Sequence, residues 1–322
     1  MRFSAAIDLG GTNIGAGIVG EDGSLVFNIS VPVKDNSSPS ALIGQIAEAV
    51  RLGAEGAGLC LSELSYIGVG IPGISSGREG NVIFAPNIFW RNVDISAELK
   101  EHTGLPVLLG NDADCAALGE YNFGAGRDYE SMLMLTLGTG VGGAIVAGGR
   151  LFKGFGKHAG EFGHVPLVHN GVHCGCGKNG CFEAYCSATA LKRQTRAAAM
   201  EHPESLIWEM CGGDLNNVGG RTAFDAADRG DITGAAVADQ YISYLADGIS
   251  GFVNVLRPSV VIIGGGVSNQ GASLIDPLNE KVARLCYSHE SVEPPRIIKA
   301  ALGNKAGIIG AGMLGFWKVW KE

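Results

Sequence analysis

One histidine and three cysteines lie close together between residues 160 and 183. They are His164, Cys174, Cys176 and Cys181, in the pattern GEFGH, nine residues, CxC, four residues and C. One imidazole nitrogen and three thiolates complete the tetrahedral shell of a structural zinc ion and leave no position for water. The spacing therefore predicts a zinc site that supports structure.

From the residues alone, other interpretations of this segment stay open. His169 or His173 could replace His164, and the CxC thiols could be free or join a disulfide. The two cysteines of a CxC pair rarely bridge each other, because a disulfide needs a particular Cα separation and dihedral angle. Cys186 fits the spacing no better than His164. The scattered cysteines are predicted to be buried core thiols: Cys60, Cys115, Cys211 and Cys286.

Three carboxylates stand where they could act on a polar substrate. Glu161 and Glu183 flank the zinc pattern and are either solvated surface residues or ligands that bind hydroxyl groups through charge-assisted hydrogen bonds. Asp112 opens a predicted helix, so it is either an ordinary N-cap or a general base. A carboxylate at a helix start is expected to stay ionised, which suits proton acceptance.

Glycine turns end three predicted strands, at residues 10–13, 138–143 and 264–266. One such turn is explained equally well by a tight hairpin, but three in one chain predict backbone N–H groups that hold a polyphosphate. Asp8 could hold phosphate-bound magnesium through water, since hard cations prefer oxygen ligands. The GTGVGG run at 138–143 is followed by a strand rather than a helix, which argues against a dinucleotide site.

The hydrophobic pattern predicts the elements that position these residues. In the first half, strands are expected at 3–9, 14–19, 25–31, 66–71 and 106–109, helices at 39–59, 94–102 and 112–121, and a loop at 72–92. The pattern then restarts, with strands at 131–137, 141–147, 260–263 and 296–299, helices within 187–257 and a last helix from about 306 to the end. The motif IDLGGT of residues 7–12 and LTLGTG of residues 135–140 align, which indicates one unit used twice.

This duplication predicts an α/β fold with two domains that face each other across a cleft. We expect an N-terminal domain of residues 1–120, completed by the C-terminal helix 306–322, and a second domain of residues 121–305 that carries the zinc-binding segment.

The composition of the chain argues against several classes of function. The net charge is −8 and no cluster of basic residues exists, so nucleic acid is not expected as a partner. No apolar run reaches the roughly 18 residues of a membrane span, and no secretory signal is visible. Eight cysteines without such a signal fit a reducing cytoplasm.

The chain resembles the ROK family of sugar kinases and related repressors. This resemblance is carried by the glycine turns, Asn111-Asp112, the AGEFGH run of residues 159–164 and the zinc spacing. The loop at 84–90 resembles that of glucokinase-type members. The resemblance implies the two-domain, actin-like ATPase fold (sugar kinase, RNase H-like), with ATP, Mg²⁺ and structural Zn²⁺, and a homodimer. It implies transfer of phosphate from ATP to a hexose, with glucose as the first choice and N-acetylmannosamine, N-acetylglucosamine, allose or fructose as alternatives.

The resemblance also implies a role for each matching residue. Asp112 matches the catalytic base. The sugar contacts it implies are Gly73, Asn87, Asn111, Asp112, Glu161, His164 and Glu183. The ATP-binding residues it implies are Asp8, Gly10, Gly11, Thr12, Asn13, Gly138, Thr139, Gly140, Gly142, Gly264, Gly265 and Gly266. The zinc ligands it implies are His164, Cys174, Cys176 and Cys181.

Two rival functions of other classes are less well supported. A repressor of the same family would carry an N-terminal helix-turn-helix segment, and the first phosphate turn at residue 10 is expected to leave no room for one. An actin-like assembly or chaperone ATPase is disfavoured by the zinc segment and by the run from Glu161 to His164.

Overall fold

The computed structural model of the chain describes residues 1–76, 80–85, 88–155, 158–287 and 290–316. The chain divides into two compact units. Unit 1 comprises residues 1–128, 148–158 and 301–322, and unit 2 comprises residues 129–147 and 159–300. The sequence-based domain boundaries stay a prediction, and this grouping differs from them by assigning residues 121–128, 148–158 and 301–305 to unit 1.

Unit 1 is built on a sheet of five strands in the order β3-β2-β1-β4-β8. The strands are β1 (Phe3–Leu9), β2 (Asn13–Gly20), β3 (Leu25–Pro32), β4 (Leu64–Ile71) and β8 (Val107–Asn111). The first three are antiparallel neighbours, whereas β1, β4 and β8 run parallel. Because parallel strands end at the same edge of a sheet, the residues that follow Leu9, Ile71 and Asn111 lie together.

The region predicted as a loop at 72–92 instead contains three short strands, so that prediction was wrong. They are β5 (Ile74–Ser75), β6 (Asn81–Ala85) and β7 (Trp90–Asp94), which form an antiparallel sheet in chain order. Prolines and glycines interrupt this stretch, and the strands are too short for a clear alternating pattern. Their hydrophobic face packs on the unit 1 core through Val82, Ala85 and Trp90.

Within the described residues, the α-helices of unit 1 are α1 (Pro39–Gly56), α2 (Ile95–Thr103), α3 (Asp112–Phe123) and α10 (Lys305–Met313). Residues 314–316 form a turn, so α10 ends earlier than the helix predicted to run to the end, and residues 317–322 lie outside the described ranges. Helices α3 and α10 pack at backbone distance, because glycines occupy the contact. A Cβ atom on Gly119 would lie 2.5 Å from the Ala306 carbonyl oxygen, and one on Gly310 would overlap the Cys115 carbonyl.

Unit 2 repeats the sheet of unit 1. Its strands β9 (Ser131–Leu137), β10 (Val141–Ala147), β12 (Val260–Gly264) and β13 (Arg296–Lys299) run in the order β10-β9-β12-β13, which matches β2-β1-β4-β8. Again the first pair is antiparallel and the others are parallel. The predicted duplication is therefore confirmed, and the ends of β9 and β12 share an edge. A further short strand, β11, covers Arg150–Leu151.

The helices of unit 2 include the long central α8 and a short α4 directly after the cysteine segment. They are α4 (Glu183–Cys186), α5 (Ala188–Glu201), α6 (Leu206–Met210), α7 (Thr222–Asp228), α8 (Ile232–Leu256) and α9 (Ala272–Leu285). Phe182 is fully buried and packs edge-to-face on Phe252 of α8, which anchors the start of α4 in the core. None of the helices in the described ranges has both the length and the apolar character of a membrane span.

The contact between α3 and α10 gives a test of the fold. Replacing Gly310 with Ala is expected to lower the free energy of unfolding by about 3 kcal/mol, the upper end of the cost of overpacking, because the new methyl group has no space beside the Cys115 carbonyl. The measurement is urea unfolding followed by circular dichroism. Gly44→Ala in α1 is the matched control, since its Cβ would meet no atom within 4 Å, and it should stabilise by about 0.5–1 kcal/mol. Equal effects of the two substitutions would contradict the close packing.

Candidate active site and metal centre

The first glycine turn of unit 1 leads from β1 into β2 at the shared sheet edge. The Gly10 amide donates to the Asn13 carbonyl (2.9 Å), and the Asn13 side chain donates to the Thr12 hydroxyl oxygen (3.2 Å). Gly11, Thr12 and Asn13 are exposed, so the turn presents a small polar surface. Asp8 precedes this turn in β1, and burial raises the pKa of its carboxyl.

Asn111, and not Asp112, is the N-cap of α3. Its side-chain oxygen accepts hydrogen bonds from the amides of Ala113 (2.9 Å) and Asp114 (3.3 Å), and its side-chain nitrogen donates to the Gly73 carbonyl (3.1 Å). Gly73 follows the end of β4, so Asn111 ties two strand ends together. Because the capping position is filled by Asn111, the ordinary N-cap role considered for Asp112 is wrong.

The Asp112 carboxyl is an unusual acid. Burial raises its pKa to about 7, and the nearby charges of Asp8 and Asp114 act in the same direction, while a hydrogen bond from the Ala113 amide (2.8 Å) opposes them. The expectation that this carboxyl stays readily ionised at a helix start was therefore wrong, because burial outweighs the helix dipole. Near neutral pH, Asp112 exists in both protonation states and can exchange a proton with a neighbour.

Lys153 is a residue of this region that the sequence analysis did not identify. Its ammonium group pairs with the Asp114 carboxylate; the Asp114 side chain is buried and the Lys153 side chain is partly buried. The pair ties Lys153 to α3, two residues from Asp112. No sequence signal marks it, since a single lysine in a glycine-rich loop has no pattern.

In unit 2, the second glycine turn joins β9 to β10. Two hydrogen bonds from the start of α5 stabilise this turn. The Ala188 amide donates to the Gly138 carbonyl (2.8 Å), and the Thr189 hydroxyl donates to the Thr139 carbonyl (2.8 Å). Gly142 lies in β10, in register with Thr136, so it is a strand residue rather than part of the turn.

The third glycine run ends β12 beside the second turn. Gly264 is in register with Thr136 of β9, which places residues 264–266 at the same sheet edge as Gly138. Gly265 has φ of 77°, and a Cβ there would lie 2.5 Å from the Leu137 carbonyl oxygen, so only glycine fits. The structure therefore brings two of the three predicted phosphate turns together within unit 2.

The predicted metal ligands converge. One donor atom from each of His164, Cys174, Cys176 and Cys181 lies within 4.8 Å of all the others. The Cys176 and Cys181 sulfurs are 3.6 Å apart, and the Cys174 sulfur is 3.7 Å from His164 Nδ1. A tetrahedral ion with metal–sulfur bonds of about 2.3 Å needs sulfurs separated by about 3.8 Å. The donor set and its spacing therefore fit such an ion.

The alternative ligands have other partners. His173 Nδ1 lies 3.1 Å from the Asn179 side-chain oxygen, and His169 Nε2 lies 3.1 Å from the Asn170 side-chain nitrogen. Burial raises the pKa of the Cys174 thiol to about 12, so a bound metal would have to displace its proton.

The cysteines outside the metal cluster differ in exposure. Cys60 is exposed, which corrects the prediction that it is a core thiol; Cys115, Cys211 and Cys286 are buried as predicted.

The two glutamates beside the metal cluster differ in environment. Glu161 is exposed and precedes a short 3₁₀ turn (Phe162–His164). Glu183 begins α4, is partly buried, and accepts a hydrogen bond from the Val141 amide (2.8 Å). Asn87, the other predicted sugar contact, lies outside the described residues. The remaining predicted contacts, Gly73, Asn111 and Asp112, lie together at the sheet edge of unit 1.

A repeated sheet with a glycine turn after its first strand is the architecture of the actin-like sugar kinase ATPases. Comparison of the chain with known protein families and solved structures agrees with this class. The chain belongs to the ROK family, whose model matches residues 4–316. The predicted family and fold class are thereby confirmed.

Three relatives illustrate the similarity. A glucokinase from Streptomyces coelicolor is 35% identical over 316 residues, which is 98% of each chain. A glucokinase from Thermotoga maritima is 36% identical over 309 residues, covering 96% of this chain and 95% of that one. The crystal structure of a ROK family glucokinase from Streptomyces griseus in complex with glucose and AMPPNP matches with a TM-score of 0.86 at 33% identity, covering 97% of this chain and 98% of that one.

The raised pKa of Asp112 predicts a pH-dependent stability effect. The folded state holds the Asp112 proton more tightly than the unfolded state, whose pKa is near 3.8. The cost of ionising this carboxyl is thus fully present above pH 7 and vanishes as the pH falls toward 4. Asp112→Asn should therefore stabilise the chain by about 1–2 kcal/mol at pH 8, allowing for its partial exposure, and by less at pH 5.

Urea unfolding at the two pH values measures this difference. Asp128→Asn is the control, because its side chain is 82% exposed and should give no pH-dependent gain. An effect of Asp112→Asn that is equal at pH 8 and pH 5 would contradict the raised pKa.

Proposed function

We propose that the chain is an ATP-dependent kinase that transfers the γ-phosphoryl group of ATP to glucose, giving glucose 6-phosphate and ADP. The observation that carries this proposal is the Asp112 carboxyl, with a pKa of about 7, at the sheet edge that also holds the first glycine turn. Similarity to curated glucokinases over nearly the full length supports glucose as the acceptor.

Asp112 is the general base in this proposal. In its ionised form it accepts the proton of the acceptor hydroxyl as the oxygen attacks the γ-phosphorus and the bond to the β-phosphate oxygen breaks. A base is most useful when its pKa is near the working pH, since it is then both available and strong enough to accept the proton. Burial and the neighbouring carboxylates Asp8 and Asp114 provide this tuning.

The glycine turns are proposed to hold ATP. Backbone amides suit this task because they bind phosphate oxygens without requiring net positive charge. Mg²⁺, when bound, would neutralise charge on the transferred phosphoryl group, and Asp8 is the carboxylate proposed to hold it through water. The proposed ATP-binding set is unchanged: Asp8, Gly10–Asn13, Gly138–Gly140, Gly142 and Gly264–Gly266.

The sugar is proposed to contact Gly73, Asn87, Asn111, Glu161, His164 and Glu183. Carboxylates bind sugar hydroxyls through charge-assisted hydrogen bonds. Zinc at His164, Cys174, Cys176 and Cys181 would fix the position of these side chains, since four protein ligands leave no site for Lewis-acid chemistry on the substrate. The proposed homodimer can be tested by light scattering.

A sugar panel tests the proposed reaction. Purified protein is assayed with ATP and Mg²⁺ against glucose, N-acetylmannosamine, N-acetylglucosamine, allose and fructose, with ADP release as the readout. We expect the highest kcat/KM for glucose. A preference for an amino sugar would mean that this sugar, and not glucose, is the acceptor. Failure of every sugar to stimulate ATP hydrolysis would overturn the kinase assignment.

Removal of the proposed base should abolish transfer but not sugar binding. Asp112→Asn keeps the size of the side chain and an acceptor for the Ala113 amide but cannot accept a proton, so turnover should fall by at least about 100-fold. The glucose dissociation constant, measured by calorimetry, should change far less. Asp128→Asn is the control for turnover, and residual activity of Asp112→Asn above roughly one per cent would contradict the assignment.

The same base fixes the pH profile of the wild-type enzyme. Only the ionised carboxylate accepts a proton, so kcat/KM for glucose should fall about tenfold per pH unit below pH 7. Steady-state rates between pH 5 and pH 8.5 measure this profile. A rate that stays level down to pH 5 would be inconsistent with Asp112 as the titrating group.

Replacing one of the four proposed zinc ligands is expected to release the metal. Cys176→Ser removes a thiolate, so metal content measured by mass spectrometry should drop well below one ion per chain and the melting temperature should fall. Cys60→Ser is the matched control, since Cys60 is an exposed thiol that is not one of the four clustered donors. Full zinc content in Cys176→Ser would exclude this ligand set.

A further inference from the structure

The second glycine turn is attached to the chain segment that directly follows the metal ligands. Three hydrogen bonds of 2.8 Å make this attachment, and all three partners lie between residues 183 and 189. Glu183 accepts from the Val141 amide, Thr189 donates to the Thr139 carbonyl, and Ala188 donates to the Gly138 carbonyl. The backbone of the turn is thus held by one short stretch of α4 and α5.

Glu183 also fills the space beside Gly140 of the turn. A Cβ on Gly140 would overlap Glu183 Oε2, so the glycine at this position leaves room for the carboxylate. A side chain here would push the carboxylate away from the Val141 amide. The arrangement explains a glycine whose φ lies outside the left-handed region and that backbone conformation alone does not require.

The same glutamate lies against the metal cluster. Its Oε1 atom is 3.7 Å from the Cys174 sulfur, and Glu183 follows the ligand Cys181 by two residues. Between them, Phe182 is fully buried against Phe252 and Gly248 of α8. Because Phe182 is fixed in the core, Cys181 and Glu183 are held at a set position relative to each other, and the contact with Cys174 joins the carboxylate directly to the metal ligands.

We propose that Glu183 is a positioning residue that couples the metal site to the nucleotide-binding turn, so that zinc occupancy strengthens ATP binding. This role is additional to any sugar contact, because a carboxylate has acceptor sites for more than one donor. The inference rests on the proposed function, since it takes residues 138–141 as a phosphate-binding turn.

Nucleotide affinity in the absence of sugar tests the coupling. The dissociation constant of AMPPNP with Mg²⁺ is measured by calorimetry on zinc-loaded protein. Glu183→Ala should weaken binding about three- to tenfold, the effect of losing one hydrogen bond that shapes the turn. Glu183→Gln keeps an oxygen for the Val141 amide and should recover most of the affinity.

Two further variants separate this effect from sugar binding and from general damage. Thr189→Val keeps the shape of the side chain but removes the bond to Thr139, so AMPPNP affinity should fall about two- to threefold while the glucose KM is unchanged. Glu204→Ala, on an exposed side chain of the same unit, is the control and should bind AMPPNP like the wild type.

Removal of zinc provides the second arm. After chelation, verified by metal content and by retained circular dichroism, the wild type should bind AMPPNP at least about threefold more weakly, and Glu183→Ala should lose less. Unchanged wild-type affinity without zinc would overturn the coupling. If the chelated protein unfolds, the zinc-loaded variants decide: Glu183→Ala and Thr189→Val with wild-type affinity would refute the proposal. If AMPPNP does not bind the wild type at all, it is the proposed function that fails.

Discussion

The hydrogen bonds of Asn111 at the start of α3 determine what the neighbouring Asp112 can do. A helix start has free amide donors, and the residue that accepts them is no longer available for other chemistry. Here Asn111 accepts two of these amides and also reaches the Gly73 carbonyl at the end of β4. Asp112 shares the Ala113 amide with Asn111, and its burial, together with the neighbouring carboxylates, raises its pKa to about 7. Asn111 thus caps the helix, and the adjacent Asp112 remains able to exchange a proton near neutral pH.

The scaffold of this arrangement could be predicted from the sequence. Strands such as β1, β9 and β10 are continuous apolar segments with glycine directly after or before them, and their predicted and observed bounds agree closely. The repeated motif also revealed the duplication of the sheet, because both copies keep the same order of apolar strand, turn and strand. The metal cluster was visible for a similar reason: cysteine and histidine at short spacing have few other uses.

Features that depend on long-range contact were not predictable in this way. The raised pKa of Asp112 depends mainly on burial, which no local pattern encodes, and also on Asp8, which is distant in sequence. The ion pair of Lys153 and Asp114 joins a glycine-rich loop to a helix. The exposure of Cys60 and the strands β5 to β7 were missed because short segments among prolines and glycines carry little periodic signal.

The packing of α10 on α3 has a consequence for how the protein is made. Helix α10 follows the whole of unit 2 along the chain, and its Gly307 lies beside the Asp8 carboxylate while Gly310 lies against the backbone of Cys115. A ribosome must therefore synthesise every strand of unit 2 before it delivers the helix that supports the reactive carboxyl groups of unit 1. Until then the nascent first unit has an incomplete core, and we expect the closing of this long loop to be a late and slow step of folding.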